Sequence, residues 1–357
     1  MNIENTAYNQ SRRDDRVSRR TSNLVPSRYV FILTNKCNLA CSFCFQDRTG
    51  LPNAMKTEDW IATIDKLPDG SHITLTGGEP LAFKGFEEVF NYACKRHSVN
   101  IISNGVLLNK RYADLFLSQP KLLTLSISID TIGNLNRDVK QLWYEKMLDV
   151  LKYIKEKKRK SRNFDLVIDA KTVVVEENIE DLPKIYEHCV NELFIDSHSI
   201  QFLKGSPIQH ADKMFVFDDI FKEGEPYMYE NIEGLANSIL ELSRLSTITG
   251  VPSYSHPSWF SKTETLEEIL AIIKNEVNID KFTPAKYQKC GSPWESAHIN
   301  ADGKLFPCLA VDFGDIRNFE NLEDMFHKGM GKQFRDIIFK CGSVNACNRC
   351  GYLLLEE

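Results

Sequence analysis

The chain has 357 residues, 42% hydrophobic and 26% charged, enough for one large domain with an appendage and a sizeable core. A net charge of −5 argues against a general nucleic-acid surface, although it leaves room for a local basic groove. No apolar run approaches the ~20 residues of a membrane span, and no apolar h-region marks a secretory signal, so a cytoplasmic protein with no membrane partner is expected.

Residues 1–26 are polar, carry Arg12, Arg13, Arg16, Arg19 and Arg20, and read as a flexible basic arm. From residue 29 short β-rich runs alternate with helical patterns. Strand 1 is expected over Tyr29–Leu33, a helix over Thr57–Leu67 with Thr57 as N-cap, strand 2 over Ile73–Thr76 and a helix over Phe86–Arg96. Strand 3 covers Val99–Ser103, Asn104-Gly105 makes a turn, and strand 4 covers Leu122–Ile129. A long helix spans Leu142–Lys158, and the basic residues at its end suit the helix dipole. Strand 5 spans Leu166–Val175, Ile179–Asn191 is helical, and strand 6 lies near Ser199–Leu203. Strands alternating with helices imply parallel β/α units with right-handed crossovers. Six units make an α/β fold, a partial (β/α)6 barrel of the TIM type over residues 27–206, with its chemistry at the C-terminal strand ends. Residues 207–289 form a helical linker, with helices near Asn231–Leu245 and Thr265–Val277. Gly250–Phe260 reads as an ordered loop in which Tyr254, His256 and Trp259 either pack or line a substrate pocket.

Ten cysteines without an export signal point to metal ligation rather than disulfides. Cys94 and Cys189 sit in apolar, helix-like stretches and read as buried thiols. Cys37, Cys41 and Cys44 follow strand 1 at C-x3-C-x2-C spacing, so three thiolates can turn inward on one small object. Four cysteines saturate a 4Fe–4S cluster. Three leave one iron with an open position, which separates a reactive site from a structural one. The alternative is half of a zinc site, which asks for a fourth nearby ligand; the first downstream histidine is His72. Residues 290–357 hold a second group. Cys290 and Cys308 flank two short strands, Ser296–Asn300 and Lys304–Phe306, joined through Asp302-Gly303, a hairpin signal that brings the two thiols together. Cys347 and Cys350 form a close pair, and Cys341 precedes them.

The C-x3-C-x2-C loop, with Phe43 before its last cysteine, resembles the signature of the radical S-adenosylmethionine (SAM) superfamily. Thr76-Gly77-Gly78-Glu79-Pro80, directly after strand 2, resembles that family's GGE motif. The spacing Cys290-x12-Gly303-x4-Cys308 followed by Cys347-x2-Cys350 is similar to the SPASM and Twitch iron–sulfur modules appended to such barrels; five cysteines match the shorter, one-cluster form.

The resemblance implies two 4Fe–4S clusters and SAM. Cys37, Cys41 and Cys44 would hold the first, with SAM on its open iron, and reductive cleavage of SAM would yield a 5′-deoxyadenosyl radical that takes a substrate hydrogen atom. Gly77, Gly78 and Pro80 would form the turn beside SAM, and Glu79 would accept from its ammonium. Ser128 and Asp130 end strand 4, where the family places ribose contacts; Arg137 would clamp the SAM carboxylate, and Asn104 is a further candidate. The alternative for Ser128, Asp130 and Asn104 is strand-end capping. Cys290, Cys308, Cys347 and Cys350 would hold an auxiliary cluster that relays electrons; a zinc ribbon built from the same pairs is the alternative. Cys341 is either a substitute ligand or a free thiol that donates a hydrogen atom, a catalytic role.

The expected activity is modification of a peptide by oxidation, crosslinking or epimerisation, supplied with electrons by a reductase or flavodoxin-type electron donor. Dehydrogenation or epimerisation of a sugar, aminocyclitol or other small metabolite is the alternative. Some twenty-eight residues precede strand 1, too few for a packed leader-binding domain, so a separate leader-peptide-binding protein is an expected partner. A non-enzymatic iron–sulfur or zinc scaffold would need neither Glu79 nor the turn that carries it.

Overall fold

Among the described residues every neighbouring strand pair but one is parallel, as alternating strands and helices require. The computed structural model describes residues 25–44, 51, 53–132, 141–161, 165–203, 227–256, 258–260, 263–278, 283–308 and 311–350. Arg137, the arm over residues 1–24 and the stretch 204–226 lie outside the described residues.

The strands β1 (Arg28–Ile32), β2 (His72–Thr76), β3 (Ser98–Ser103), β4 (Leu122–Ser128), β5 (Val167–Val174) and β6 (Ser197–Phe202) follow one another in space as in sequence. Helices α1 (Thr57–Asp65), α2 (Phe86–Arg96), α3 (Lys110–Leu117), α4 (Gln141–Ser161) and α5 (Leu182–His188) connect them. The mixed α/β architecture with its parallel sheet is that of a partial TIM-type barrel. Side chains alternate along each strand. One set, including Tyr29, Phe31, Ile73, Leu75, Ile101 and Leu125, packs against the helices in a single core. The opposite set on β4 to β6 is polar: Ser126, Asp169 and Ser197 are neighbours across the ladder, as are Ser128, Lys171 and Ser199. That face is the barrel lumen.

Three local expectations are revised. Helix α3 was not anticipated; it has two turns, and Asn109 caps it by accepting from the Tyr112 N–H at 3.1 Å. Lys56, not Thr57, is the N-cap of α1, and its N–H donates to Asp59 at 2.8 Å. Part of the Gly250–Phe260 segment is a strand, β7 (Ser253–His256), parallel to β6. Its Ser-Tyr-Ser-His sequence lacks apolar alternation, so pairing with β6 rather than local propensity makes the strand. Between β6 and β7 runs α6 (Ile232–Thr249), and α7 (Leu266–Ile272) follows β7; both pack in a second core with Tyr186, Phe202 and Trp259.

The C-terminal hairpin forms at the Asp302-Gly303 turn: β8 (Ser296–Ile299) pairs antiparallel with β9 (Leu305–Phe306), and Gly303 takes a φ of 87° that favours glycine. The hairpin does not stand apart. β8 runs parallel to β1, in register from Arg28–Ser296 to Phe31–Ile299, and so extends the barrel sheet. Helices α8 (Leu322–His327) and α9 (Gly329–Cys341) close over it, and Phe326, Phe334 and Ile338 join the barrel core.

Arg335 of α9 is buried in that joint. Its guanidinium stacks over Phe326 at 4.6 Å and lies 5.4 Å from the Trp294 ring, and it donates to the Pro293 carbonyl at 2.9 Å. Burial lowers its pKa to about 10, with Tyr29 opposing the shift. Arg335→Met leaves the buried carbonyl without this donor, and a loss of about 2–3 kcal/mol is expected, read as a lower midpoint in anaerobic urea unfolding.

Candidate functional site

β1 delivers the chain into the loop of Cys37, Cys41 and Cys44, three half-buried thiols outside any disulfide. The loop has no regular structure and is held by backbone contacts to the turn after β2. The Gly78 N–H donates to the Thr34 carbonyl at 2.6 Å and the Glu79 N–H to the Lys36 carbonyl at 2.9 Å. A Cβ on Gly78 would sit 2.3 Å from the Lys36 oxygen, and one on Gly77 2.6 Å from the Thr34 oxygen. The close approach that these glycines permit is thus to the loop itself. Pro80 is buried and starts a helical turn, Pro80–Ala82, behind the motif.

Glu79 is 0% exposed. Its Oε1 accepts from the Leu81 N–H at 3.1 Å and from the Ser103 hydroxyl at 2.8 Å; its Oε2 accepts from the Asn104 N–H at 2.8 Å. Through these contacts Glu79 joins the ends of β2 and β3. The Asn104 side chain leans over the loop: its Nδ2 donates to Asn38 Oδ1 at 2.9 Å and lies 3.7 Å from Cys37 Sγ. Cys37 Sγ also accepts from the Leu39 N–H at 3.4 Å.

At the end of β4, Asp130 is buried and its carboxylate accepts from the Val173 N–H at 2.7 Å. Ser128 is half-buried and is the ladder neighbour of Lys171. Sequence reasoning passed over Lys171 and Asp169. Asp169 accepts from Ser126, Ser197 and Ser199. Burial lowers the pKa of Lys171, with Asp169 opposing the shift, and its ammonium has no hydrogen-bond acceptor among the described residues. Tyr254 keeps 52% of its surface exposed. His256 is also exposed, yet the protein around it, with Lys171, lowers its pKa to about 4. The available signal was Asp169-Ala170-Lys171, two charges at period two within an otherwise apolar strand.

The second cysteine group converges. Burial pushes the Cys347 thiol well up, and its neighbours Cys350, Cys290 and Cys308 push it further. Thiols crowded in this way favour deprotonation only once a cationic centre binds among them, which fits the cluster donor set. The Cys290 N–H donates to the Gly342 carbonyl at 2.8 Å, and the Cys350 N–H to the Cys347 carbonyl at 2.9 Å. Cys341 is exposed at the end of α9 and is not among the thiols that shift Cys347. Cys94 and Cys189 are buried; desolvation raises the Cys94 pKa to about 12.

A barrel with an open three-thiol loop at the end of its first strand, and a four-thiol module on its sheet edge, defines an iron–sulfur enzyme class. Residues 31–189 match the family model of the radical SAM superfamily, and residues 290–351 match SPASM, an iron–sulfur cluster-binding domain. Residues 31–189 thus carry a radical SAM domain and residues 290–351 a SPASM-type domain, the combination that implies SAM on one 4Fe–4S cluster and auxiliary iron–sulfur chemistry. Over 181 residues it is 29% identical to the sporulation killing factor maturation protein SkfB of Bacillus subtilis, covering 49% of this chain and 42% of that protein. Over 116 residues it is 30% identical to the antilisterial bacteriocin subtilosin biosynthesis protein AlbA of the same organism, covering 31% and 25%. The chain thus spans less than half the length of these curated relatives. The crystal structure of Streptococcus suis SuiB bound to precursor peptide SuiA shares the fold, with a TM-score of 0.62 at 15% identity over 98% of this chain and 77% of that one.

Gly78→Ala drives a methyl group into the Lys36 carbonyl, a backbone atom that cannot swing aside. The expected outcome is a reconstituted protein whose iron and sulfide content falls to that of the auxiliary site alone, with the SAM-induced change in its electron paramagnetic resonance (EPR) spectrum gone.

Proposed function

We propose that the chain is a radical SAM oxidoreductase that modifies a peptide at an unactivated C–H position. The observation that carries this reading is the similarity to SkfB, a maturation protein for a killing factor, over 181 residues, beside the radical SAM match that includes the three-thiol loop and the glycine turn. AlbA, named for bacteriocin biosynthesis, and SuiB, whose fold is shared and whose structure includes a precursor peptide, support it.

When bound, the cluster of Cys37, Cys41 and Cys44 together with SAM supplies a 5′-deoxyadenosyl radical that removes a substrate hydrogen atom. The chain's own residues do the rest. The Gly77–Pro80 turn fixes the loop, and Ser128 lies on the lumen side of the strand ends, where SAM would rest. Lys171 offers a charge to an anionic group, and Tyr254 and His256 give a wall for a side chain to pack against. Cys290, Cys308, Cys347 and Cys350 would hold the auxiliary cluster that takes an electron from the substrate radical, so net oxidation or crosslinking is favoured. A flavodoxin-type donor and a separate leader-peptide-binding protein complete the proposal.

Short peptides encoded beside the gene, incubated anaerobically with reconstituted protein, SAM and dithionite, test it. Release of 5′-deoxyadenosine with loss of two hydrogens from a peptide is the expected result, abolished in Cys41→Ala. Turnover of a sugar or aminocyclitol, with every peptide unchanged, replaces this reading by small-molecule dehydrogenation. Cys341→Ala is expected to leave product and rate within about twofold, because the exposed thiol sits at a helix end. Loss of solvent deuterium from the product in that variant restores the hydrogen-donor role and an epimerase.

A further inference from the structure

The Asn104 amide is oriented by its own hydrogen bonds. Its Oδ1 accepts from the Val106 N–H at 3.0 Å, a turn that only an acceptor can make. Its Nδ2 must therefore face the other way, where Asn38 Oδ1 accepts from it at 2.9 Å and Cys37 Sγ lies at 3.7 Å, within reach for a hydrogen bond to sulfur. The backbone beneath it is fixed as well, because the buried Glu79 carboxylate accepts from the Asn104 N–H at 2.8 Å. A run of short contacts thus leads from the glycine turn, through Glu79 and Asn104, to the first thiol of the loop.

We infer that Asn104 is an outer hydrogen-bond donor to the thiolate of Cys37 and sets the reduction potential of the barrel cluster. The inference rests on Cys37 ligating that cluster and is independent of whether the substrate is a peptide. Hydrogen bonds to cluster sulfurs are one of the levers on cluster potential. The couple takes up one electron, from dithionite in the test below, and the reduced state carries one more negative charge spread onto its thiolates. An N–H dipole aimed at Cys37 stabilises that extra charge, so the donor raises the potential and eases reduction. With the Leu39 N–H, Cys37 Sγ has two such donors, one from the loop and one from β3's end. Asn104 is a positioning and tuning residue, not a catalytic one.

The test is an EPR-monitored redox titration of the reconstituted holoprotein, following the signal that shifts when SAM is added, which separates the barrel cluster from the auxiliary one. Asn104→Asp keeps the acceptor for Val106 but loses the N–H donor; Asn104→Ala loses the donor without adding charge. Both are expected to lower the midpoint at unchanged iron content, Asp more than Ala. In Ala the reduced-to-oxidised ratio at a fixed poise should fall about tenfold, equivalent to ~59 mV for a one-electron couple. An unmoved midpoint in Asn104→Ala with normal iron and a normal SAM shift overturns the inference, even if Asp moves it, because charge alone then explains Asp. If Ala does not hold a full cluster, parent protein carrying 15N in its asparagine side-chain amides decides. A hyperfine coupling from that nitrogen to the reduced barrel cluster is the expected result, and its absence overturns the inference. Loss of the SAM shift in the parent protein would instead remove the radical SAM reading itself.

Discussion

The contact on which the rest depends is a backbone seam. Two N–H groups of the glycine turn donate to two carbonyls of the cysteine loop, at 2.6 and 2.9 Å, with no side chain between. A loop that presents three thiols has no regular hydrogen bonding of its own, so its peptide groups need partners from elsewhere. Here the next strand supplies them, and only glycine lets the two chains come so near. Glu79 then locks the turn to the end of β3, so three consecutive strand ends act as one support. Sealing the carboxylate there is sustainable because it has three protein donors.

Much of this was legible in the sequence. Six alternating β and α patterns specified the parallel barrel; the helix Phe86–Arg96 has the expected bounds, and Asp302-Gly303 makes the expected hairpin turn. Thiol spacing marked both cysteine groups. Other features depend on contacts that no local pattern records. β7 is a strand because β6 lies beside it, not because Ser253–His256 prefers extended backbone. The tie of Glu79 to the end of β3, twenty-five residues away in the chain, left no mark on the local sequence. Lys171 was hidden because a charged residue in a strand reads as a solvent-facing one until closure of the sheet turns that face into a lumen.

The two cysteine groups differ in the way their sulfurs are held. The barrel loop stands at a strand end, half-buried, with its first thiol beside N–H donors, an arrangement that leaves one side open to a small molecule. The second group draws on three separate stretches of chain, the flanks of the β8–β9 hairpin and the turn after α9, which crowd around Cys347. One presents its thiols from a single loop, the other from stretches far apart in the chain.

Because β8 lies directly against β1, the strand that carries the first thiol loop is an interior strand only while the C-terminal module is in place. A shortened chain ending ahead of residue 290 would bare a row of unsatisfied peptide groups along β1, flanked by Val30 and Ile32, a ready template for intermolecular pairing. Solubility of the barrel is therefore tied to the presence of its C-terminal appendage, and attempts to study the barrel in isolation will meet aggregation before they meet chemistry.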